Sequence, residues 1–551
     1  MSNSSPSPSP PQYSLEVNPL RRLWWGLGAA AVVLLGIYFF APRARTGPGT
    51  AKTATKAEWD DARCDRVLAD AYRGLAPDRL GISSSEDTIL RDLNQWAERC
   101  GGKNAVRTAI DGIANLVSEK GLEDTTSDRF QRRDAQHIRS ALLLQQIVER
   151  IAPKKAPDSE RARVLFQYLM RQVQLRPAAF PDPPAFTPFD CLVYGEGTAL
   201  ERAWLFVEVL RQLPIDAVIL TTEEDKEGAF PIVGVLSPEE GCLLFDTGLG
   251  LPVPADLATD DAWLVSKVAD YKGAVDRPEL FRQLDAEGLP YIWTSDRLKT
   301  AKVWLIGNSS WWSPRMANLQ FQLQPIVRVT LSEPLVAPGK DQKGYRDRVA
   351  EFQGGAFEGS RIAVWPVPEE RFLAAADVPK SRYWAALQRV FNGPTIVQLQ
   401  KVGNQQQEVE ALSNRPLKLI RVWQLENREE TRRGYLSIRN APSLIPSPEN
   451  NAAAQFATFW VGLSQFEEGS LQSAQETLVD YIRINTEAIR AESALLLIAE
   501  TLVMEKDPRA LETLKTIGNP AQPLRNAILL RHWSRLLKPA EAGAAGKSAA
   551  Q

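Results

Sequence analysis

The sequence predicts an α+β multidomain chain, and three observations carry that expectation. Apolar residues recur at helical spacing over 58–157 and again over 452–537. Between them, short apolar runs separated by turn residues read as strands. At 551 residues the chain is too long for one hydrophobic core and should hold several domains. The expected order is a disordered Ser/Pro tail over 1–22, a membrane-spanning helix over 23–41, a linker over 42–57 and a helical region over 58–157. A mixed core over 158–275, a small α/β or β-rich region over 276–441, a linker over 442–451, helical hairpins over 452–537 and a disordered tail over 538–551 complete it.

The N-terminal elements follow from composition. Ser-Pro repeats from Ser5 to Pro11 cannot bury a core. Leu23 to Ala41 is an uncharged run of about nineteen residues, long enough at about 1.5 Å per residue to cross a bilayer. Trp24 and Trp25 at one end, and Tyr38, Phe39 and Phe40 at the other, suit the two interfaces. A cleavable signal peptide is the competing reading, but its apolar region is shorter, and Ala41-Pro42-Arg43-Ala44 is a poor cleavage site. The run therefore reads as an uncleaved single-pass signal anchor. Arg43, Arg45, Lys52 and Lys56 after the span argue for a cytoplasmic body; the short N-terminal tail argues against it, and the balance favours a body on the outer, periplasmic or extracellular, side.

From Glu58 to Ile151 the pattern is helical. Trp59, Ala62, Val67, Leu68 and Tyr72 form one face and Leu90, Leu93, Trp96 and Ala97 another, with Gly101-Gly102 as a helix stop. Cys64 and Cys100 either form one bridge or remain buried thiols; spacing alone leaves both open. Pro157-Asp158-Ser159 opens a further helix with Val164, Leu165, Tyr168 and Leu169 inward.

The centre holds the most specific motif. Gly195-Glu196-Gly197-Thr198-Ala199-Leu200-Glu201-Arg202-Ala203-Trp204 runs into a helix ending at Leu210-Arg211-Gln212-Leu213-Pro214-Ile215. Three strands are expected after it: Ala217–Leu220, Ile232–Leu236 and, past the turn Ser237–Gly241, Cys242–Asp246. Over about 158–255 this arrangement resembles the transglutaminase-like superfamily, with its papain-like cysteine-protease fold. In that family a Gly-x-Cys opens the helix, a His opens the next strand and an Asp follows on the strand after. The resemblance places the nucleophile position at Ala199 and the His position at or near Phe230, and it makes Asp246 the counterpart of the family's Asp. It implies a degenerate member whose chemistry has been removed. A catalytic thiol needs a depressed pKa and an imidazole to shuttle its proton, and neither a methyl nor a phenyl group supplies these. Gly197, Thr198, Glu201, Trp204 and Asp246 are the candidates for lining a retained binding cleft, with solvated or paired side chains as the plainer reading of Glu201, Glu208, Arg202 and Arg211. Asp246 is expected to cap a turn. Cys191 and Cys242 read as buried small hydrophobes, and His137 and His532, the chain's two histidines, lie far away in sequence.

After the core, Asp260 to Glu287 reads as helix, Lys302–Ile306 and Ile326–Leu331 as strands, and Ser313-Pro314 as the start of a helix between them. Asn308-Ser309-Ser310 matches a glycosylation sequon. Trp311-Trp312 suits core packing, or stacking on a glycan or peptide. Ile362–Trp365, Thr395–Val397 and Leu419–Trp423 read as β-rich, with helices near Arg371–Ala376 and Tyr383–Phe391. Trp460–Phe466 with Glu468-Gly469 and Ala474 resembles one tetratricopeptide unit, and Ala491–Val503 with Ala510–Ile517 forms a second helical pair.

Charge is balanced, 65 Lys and Arg against 67 Asp and Glu, so no basic footprint points to nucleic acid. No His/Cys cluster, acidic calcium loop or nucleotide motif is present, and no cofactor or metal is expected. The sequence thus leads to a membrane-anchored, non-catalytic binding or scaffolding module for a protein or peptide partner. The alternative is a hydrolase of altered mechanism in which Asp246 works with Glu196 or Glu201.

Overall fold

In the computed structural model the described residues are 59–538, apart from 102–112, 177–181, 185, 223–229, 257–266, 338–341, 353–355, 358, 375–380, 403–404, 441–444, 486–487, 489 and 518–519. Its centre is a six-stranded sheet in the order Leu251–Pro252, Gly241–Asp246, Ile232–Ser237, Asp216–Thr221, Lys302–Leu305, Ile362–Val364. All neighbours pair antiparallel except the last two strands, which run parallel with Val303 opposite Ile362. Every residue of Ile232–Ser237 and Gly241–Asp246 is buried. Such continuous apolar strands fit a sheet covered on both faces rather than one facing water.

Helix Ala199–Arg211 lies against this sheet and contributes Ala203, Phe206, Val207 and Leu210, all fully buried, to its core. Phe206 meets Phe166 of the helix Asp158–Gln172 edge-on at 5.2 Å, and both rings contact Phe245 of the sheet. The C-terminal helices Pro448–Glu467, Leu471–Ile484, Ala491–Met504 and Pro523–Leu536 feed Trp460, Tyr481, Leu497 and Trp533 into the same hydrophobic cluster. Residues from Trp59 onward form one compact unit.

A second cluster joins Leu68, Ala71 and Leu75 of the helix Asp61–Leu75 to Ile89, Leu93 and Trp96 of Glu86–Arg99, and both to Met316 and Leu319. The buried stripe is turned from the expected one, and Ala62 is exposed. Cys64 and Cys100 are bridged, with their Cα atoms 5.8 Å apart.

Four sequence expectations are corrected. Among the described residues no helix is long and apolar enough to cross a membrane. This overturns the transmembrane element of the fold and the single-pass localisation drawn from it. The residues assigned to the span, 23–41, lie outside those described. The two longest described helices, Arg132–Ile151 and Pro448–Glu467, bury polar side chains such as Asp134, Gln145 and Asn450 that hydrocarbon would not accept.

Ile326–Leu331 forms no strand. Ile326 and Val327 donate to the Leu323 carbonyl at 2.8 Å, and side chains serve the end of the segment: Gln212 bonds both N–H and C=O of Thr330 at 3.0 Å, Gln320 accepts from Leu331 and Ser332, and His137 Nε2 lies 2.8 Å from the Leu331 carbonyl. Lys302–Leu305 extends the central sheet, so no separate α/β domain is built around it. Leu419–Trp423 belongs to the helix Leu417–Leu425, whose capping position is Pro416; a five-residue apolar run is too short for its period to separate helix from strand.

The loop Gly307–Ser313 and the helix Pro314–Leu323 that follows are held from inside. Asp134, wholly buried, accepts from Arg315 Nη2 at 2.8 Å, Arg315 Nε at 3.0 Å and Ser310 Oγ at 2.6 Å. A Cβ on Gly307 would stand 2.0 Å from the Trp312 ring, so only glycine lets that indole fold back. Asn308 is buried and its Oδ1 accepts from Trp311 N at 2.9 Å, which leaves the sequon inaccessible in the folded chain. Trp311 and Trp312 are both buried and pack inward.

Candidate functional site

Thr198 starts the site. Its hydroxyl accepts from Glu201 N at 3.2 Å and its own N–H donates to Glu201 Oε2 at 2.8 Å, a capping box that begins the helix Ala199–Arg211. Ala199, the first helical residue, is 3% exposed. Its carbonyl accepts from Thr247 Oγ1 at 2.7 Å, which ties the helix start to the turn after Asp246. Arg202, one turn along, donates from Nε to the Val173 carbonyl at 3.0 Å and from Nη1 to the Thr247 carbonyl at 3.2 Å. It is buried, not solvated, and among the described residues no salt bridge to it is found.

Asp246 ends its strand directly opposite Ile232. It is fully buried: Oδ1 accepts from Leu249 N at 2.6 Å, closing the turn, and Oδ2 accepts from the Tyr291 hydroxyl at 2.6 Å. Burial, and then the adjacent Asp246 charge, push the Tyr291 hydroxyl well above the usual phenol range. Phe230 is half-buried just before the neighbouring strand, and its carbonyl accepts from Trp293 Nε1 at 2.8 Å. The structure therefore brings Ala199, the Asp246 turn and the start of Ile232–Ser237 into one neighbourhood.

Polar groups around that neighbourhood are spent on internal partners. Glu201 is 3% exposed, with Oε2 accepting from Arg176 Nη2 at 2.7 Å and Arg371 at 3.5 Å from Oε1. Burial raises its carboxyl, against the pull of both arginines. Glu196 accepts from Arg176 at 3.2 Å and from the Tyr383 hydroxyl at 2.8 Å. Glu208 accepts from Trp204 Nε1 at 3.1 Å and from Arg211 at 3.0 Å. Trp204 packs edge-on against Trp365 and Phe372. Of the residues expected to line a cleft, Gly197, Glu201, Trp204 and Asp246 are buried and only Thr198 keeps partial exposure; they pack inward and do not face an open groove.

Neither free thiol is disposed for nucleophilic work. The Cys191 sulfur fills the space where a side chain of Gly197 would lie, 3.3 Å from that position. Burial pushes its thiol well up, and Glu201 adds to the effect; the other charges acting on it are Arg176, Asp190 and Arg371, with no imidazole among them. Cys242 is fully buried in the sheet, and burial raises its thiol too. His137 is buried edge-on to Trp311, and burial lowers its imidazole. Among the described residues no group of three or more His, Cys, Asp and Glu side chains is placed to hold a metal ion.

The segment before the site is clamped from the C-terminal helices. Helix Pro188–Tyr194 ends in carbonyls that lack partners within the helix. Arg490 supplies them, donating from Nη2 to Tyr194 O at 2.6 Å and from Nη1 to Gly195 O at 2.7 Å, while Arg421 Nε donates to Leu192 O at 3.1 Å. Both guanidiniums lie over the Trp460 ring. Sequence reasoning missed Arg176, Tyr291, Arg421 and Arg490: each reaches the site across long stretches of chain, and no local period marks it. The single legible hint was arginine within apolar runs, as at Arg421 between Ile420 and Val422.

Comparison with protein-family models, with curated proteins and with solved structures gives no match to this chain.

Proposed function

We propose that this chain is a non-catalytic binding or scaffolding protein for a protein or peptide partner, built on a transglutaminase-like core whose reactive positions have been vacated. The observation that carries the reading is the local chemistry at Ala199. The helix start there presents a buried methyl group, and the nearby carboxylates Asp246, Glu201 and Glu196 are each engaged by a Tyr or Arg. The order helix Ala199–Arg211, strand Asp216–Thr221, strand Ile232–Ser237, strand Gly241–Asp246 supports the likeness to that superfamily. Because the vacated site is filled from within, recognition falls to another surface. The hairpin Thr395–Val402 with Gln405–Leu412 is a two-stranded sheet of its own, with Leu399 66% and Leu412 62% exposed. Such a ribbon suits an extended peptide that adds as a third strand, with main-chain bonds giving affinity and the exposed leucines contacting alternate side chains.

The test is turnover by the full chain of amide and ester substrates and of glutamine peptides with an amine acceptor. The expected result is no rate above that of the Ala199→Leu variant. Turnover that disappears in Cys191→Ser, Asp246→Asn or Glu201→Gln would overturn the non-catalytic reading.

A further inference from the structure

Helices Asp158–Gln172, Ala199–Arg211, Ala491–Met504 and Pro523–Leu536 line a partly open pocket of about 20 Å³, room for one water-sized particle. Its ionisable lining is Arg171, Arg202, Arg525, Glu492 and Glu500. Three positive charges face two negative ones, so one positive charge is left over. Arg171 is committed to Glu500, its Nε 3.0 Å from Oε2. Glu492 accepts from Ala521 N at 2.9 Å, and Arg202 spends its donors on main-chain carbonyls.

Arg525 is the exception. It is 3% exposed, its Nε has no hydrogen-bond partner, and among the described residues no hydrogen bond or ion pair satisfies its guanidinium. The fold nevertheless presses it into place. Gly250, at φ +73°, holds a turn that a side chain would strain, and a Cβ there would stand 3.3 Å from Arg525 Nη1. Gln522, one turn earlier on the same helix end, anchors to the Gly248 carbonyl at 2.7 Å. Burial pushes the Arg202 guanidinium down to about 9, and the Arg525 charge adds to that push. Arg525 and Arg202 thus repel each other beside this space; the charges of Glu492 and Glu500 offset part of that on Arg525, but a buried guanidinium that lacks hydrogen-bond partners is costly. Water filling the space would accept their hydrogen bonds but leave the charge uncompensated.

We propose that this pocket is a binding site for a small monovalent anion of chloride's size, held by the Arg525 guanidinium, with Arg202 adding its charge. The space, about 20 Å³, suits a monatomic ion, and partly exposed Glu492 and Ser493 mark the side from which it enters. The site is independent of the binding role proposed above.

Two measurements decide it. Crystals of the full chain soaked in sodium bromide should give an anomalous peak in the pocket within hydrogen-bonding distance of Arg525; an anomalous map empty there overturns the proposal. Thermal unfolding in sodium chloride against sodium gluconate at equal ionic strength should show the wild type melting a few degrees higher in chloride, and Arg525→Gln melting alike in both salts. A chloride response of the same size in the variant also overturns it. If Arg525→Gln does not fold, the bromide map of the wild type decides alone.

Discussion

Replacing Arg490 with Met tests how firmly the C-terminal helices are built into the site. Arg490 is 2% exposed, and its two terminal nitrogens donate to the carbonyls of Tyr194 and Gly195 at 2.6 and 2.7 Å. The Gly195 carbonyl keeps one other donor, Gln174 N at 2.8 Å, so the substitution orphans Tyr194 O and weakens Gly195 O. A buried acceptor left unpaired costs about 1–3 kcal/mol, and losing a hydrogen bond from a charged donor about 1.5–3 kcal/mol. Relief from burying a cation offsets part of this, leaving about 2–4 kcal/mol of net destabilisation. The assay is urea unfolding followed by tryptophan fluorescence, with the midpoint converted at constant slope. Arg490→Lys, which keeps the charge and one reach of donor, should recover part of the loss. A change below about 0.5 kcal/mol in Arg490→Met would show that the clamp carries no weight. A separate early transition of the C-terminal helices, with the sheet still folded, would refute the shared core.

Three further outcomes follow from the same structure. The Cys64–Cys100 bridge closes a separation of 36 residues, so Cys64→Ser should cost about 3–4 kcal/mol by loop entropy, read as a lower urea midpoint that reducing agent reproduces in the wild type. Burial pushes the Glu426 carboxyl up to about 7, the Arg428 charge opposing, so between the ordinary carboxylate range and pH 7 the folded chain binds more protons than the unfolded one. Stability from this residue is then full at low pH and lost as pH rises through 7, and Glu426→Gln should stabilise the chain at pH 8 by up to about 3 kcal/mol while flattening that part of the pH profile. Leu399→Lys with Leu412→Lys should change stability by less than about 0.5 kcal/mol, because both side chains are exposed, yet weaken capture of an extended peptide by the hairpin.

The parts of the fold that the sequence displays are those with a local period. The helix from Ala199, the strands around Ala217–Leu220, Ile232–Leu236 and Cys242–Asp246, and the helical pairs near Trp460 and Ala491 all lie close to where apolar spacing and turn residues place them. What stayed hidden is set by contacts distant in the chain. Ile326–Leu331 has the composition of a strand but finds its hydrogen bonds in the Leu323 carbonyl and in Gln212, Gln320 and His137. Glu201 and Arg202 look like solvated helix residues because nothing nearby in sequence reveals that Arg176, Val173 and Thr247 receive them. The helix start at Ala199 could be read from one motif, whereas the engagement of Asp246 by Tyr291 and of the Phe230 carbonyl by Trp293 could not.

The most direct test of the account is the reactivity of Cys191. The native full chain is treated with iodoacetamide at neutral pH, and labelled peptides are quantified by mass spectrometry before and after unfolding. The account predicts no rapid labelling of Cys191 or Cys242 in the native state, because both thiols are buried and burial holds their protons, and complete labelling of both once the chain is unfolded. Fast, stoichiometric labelling of Cys191 in the native chain would reveal an accessible thiolate beside the Ala199 helix and contradict the reading of a vacated site.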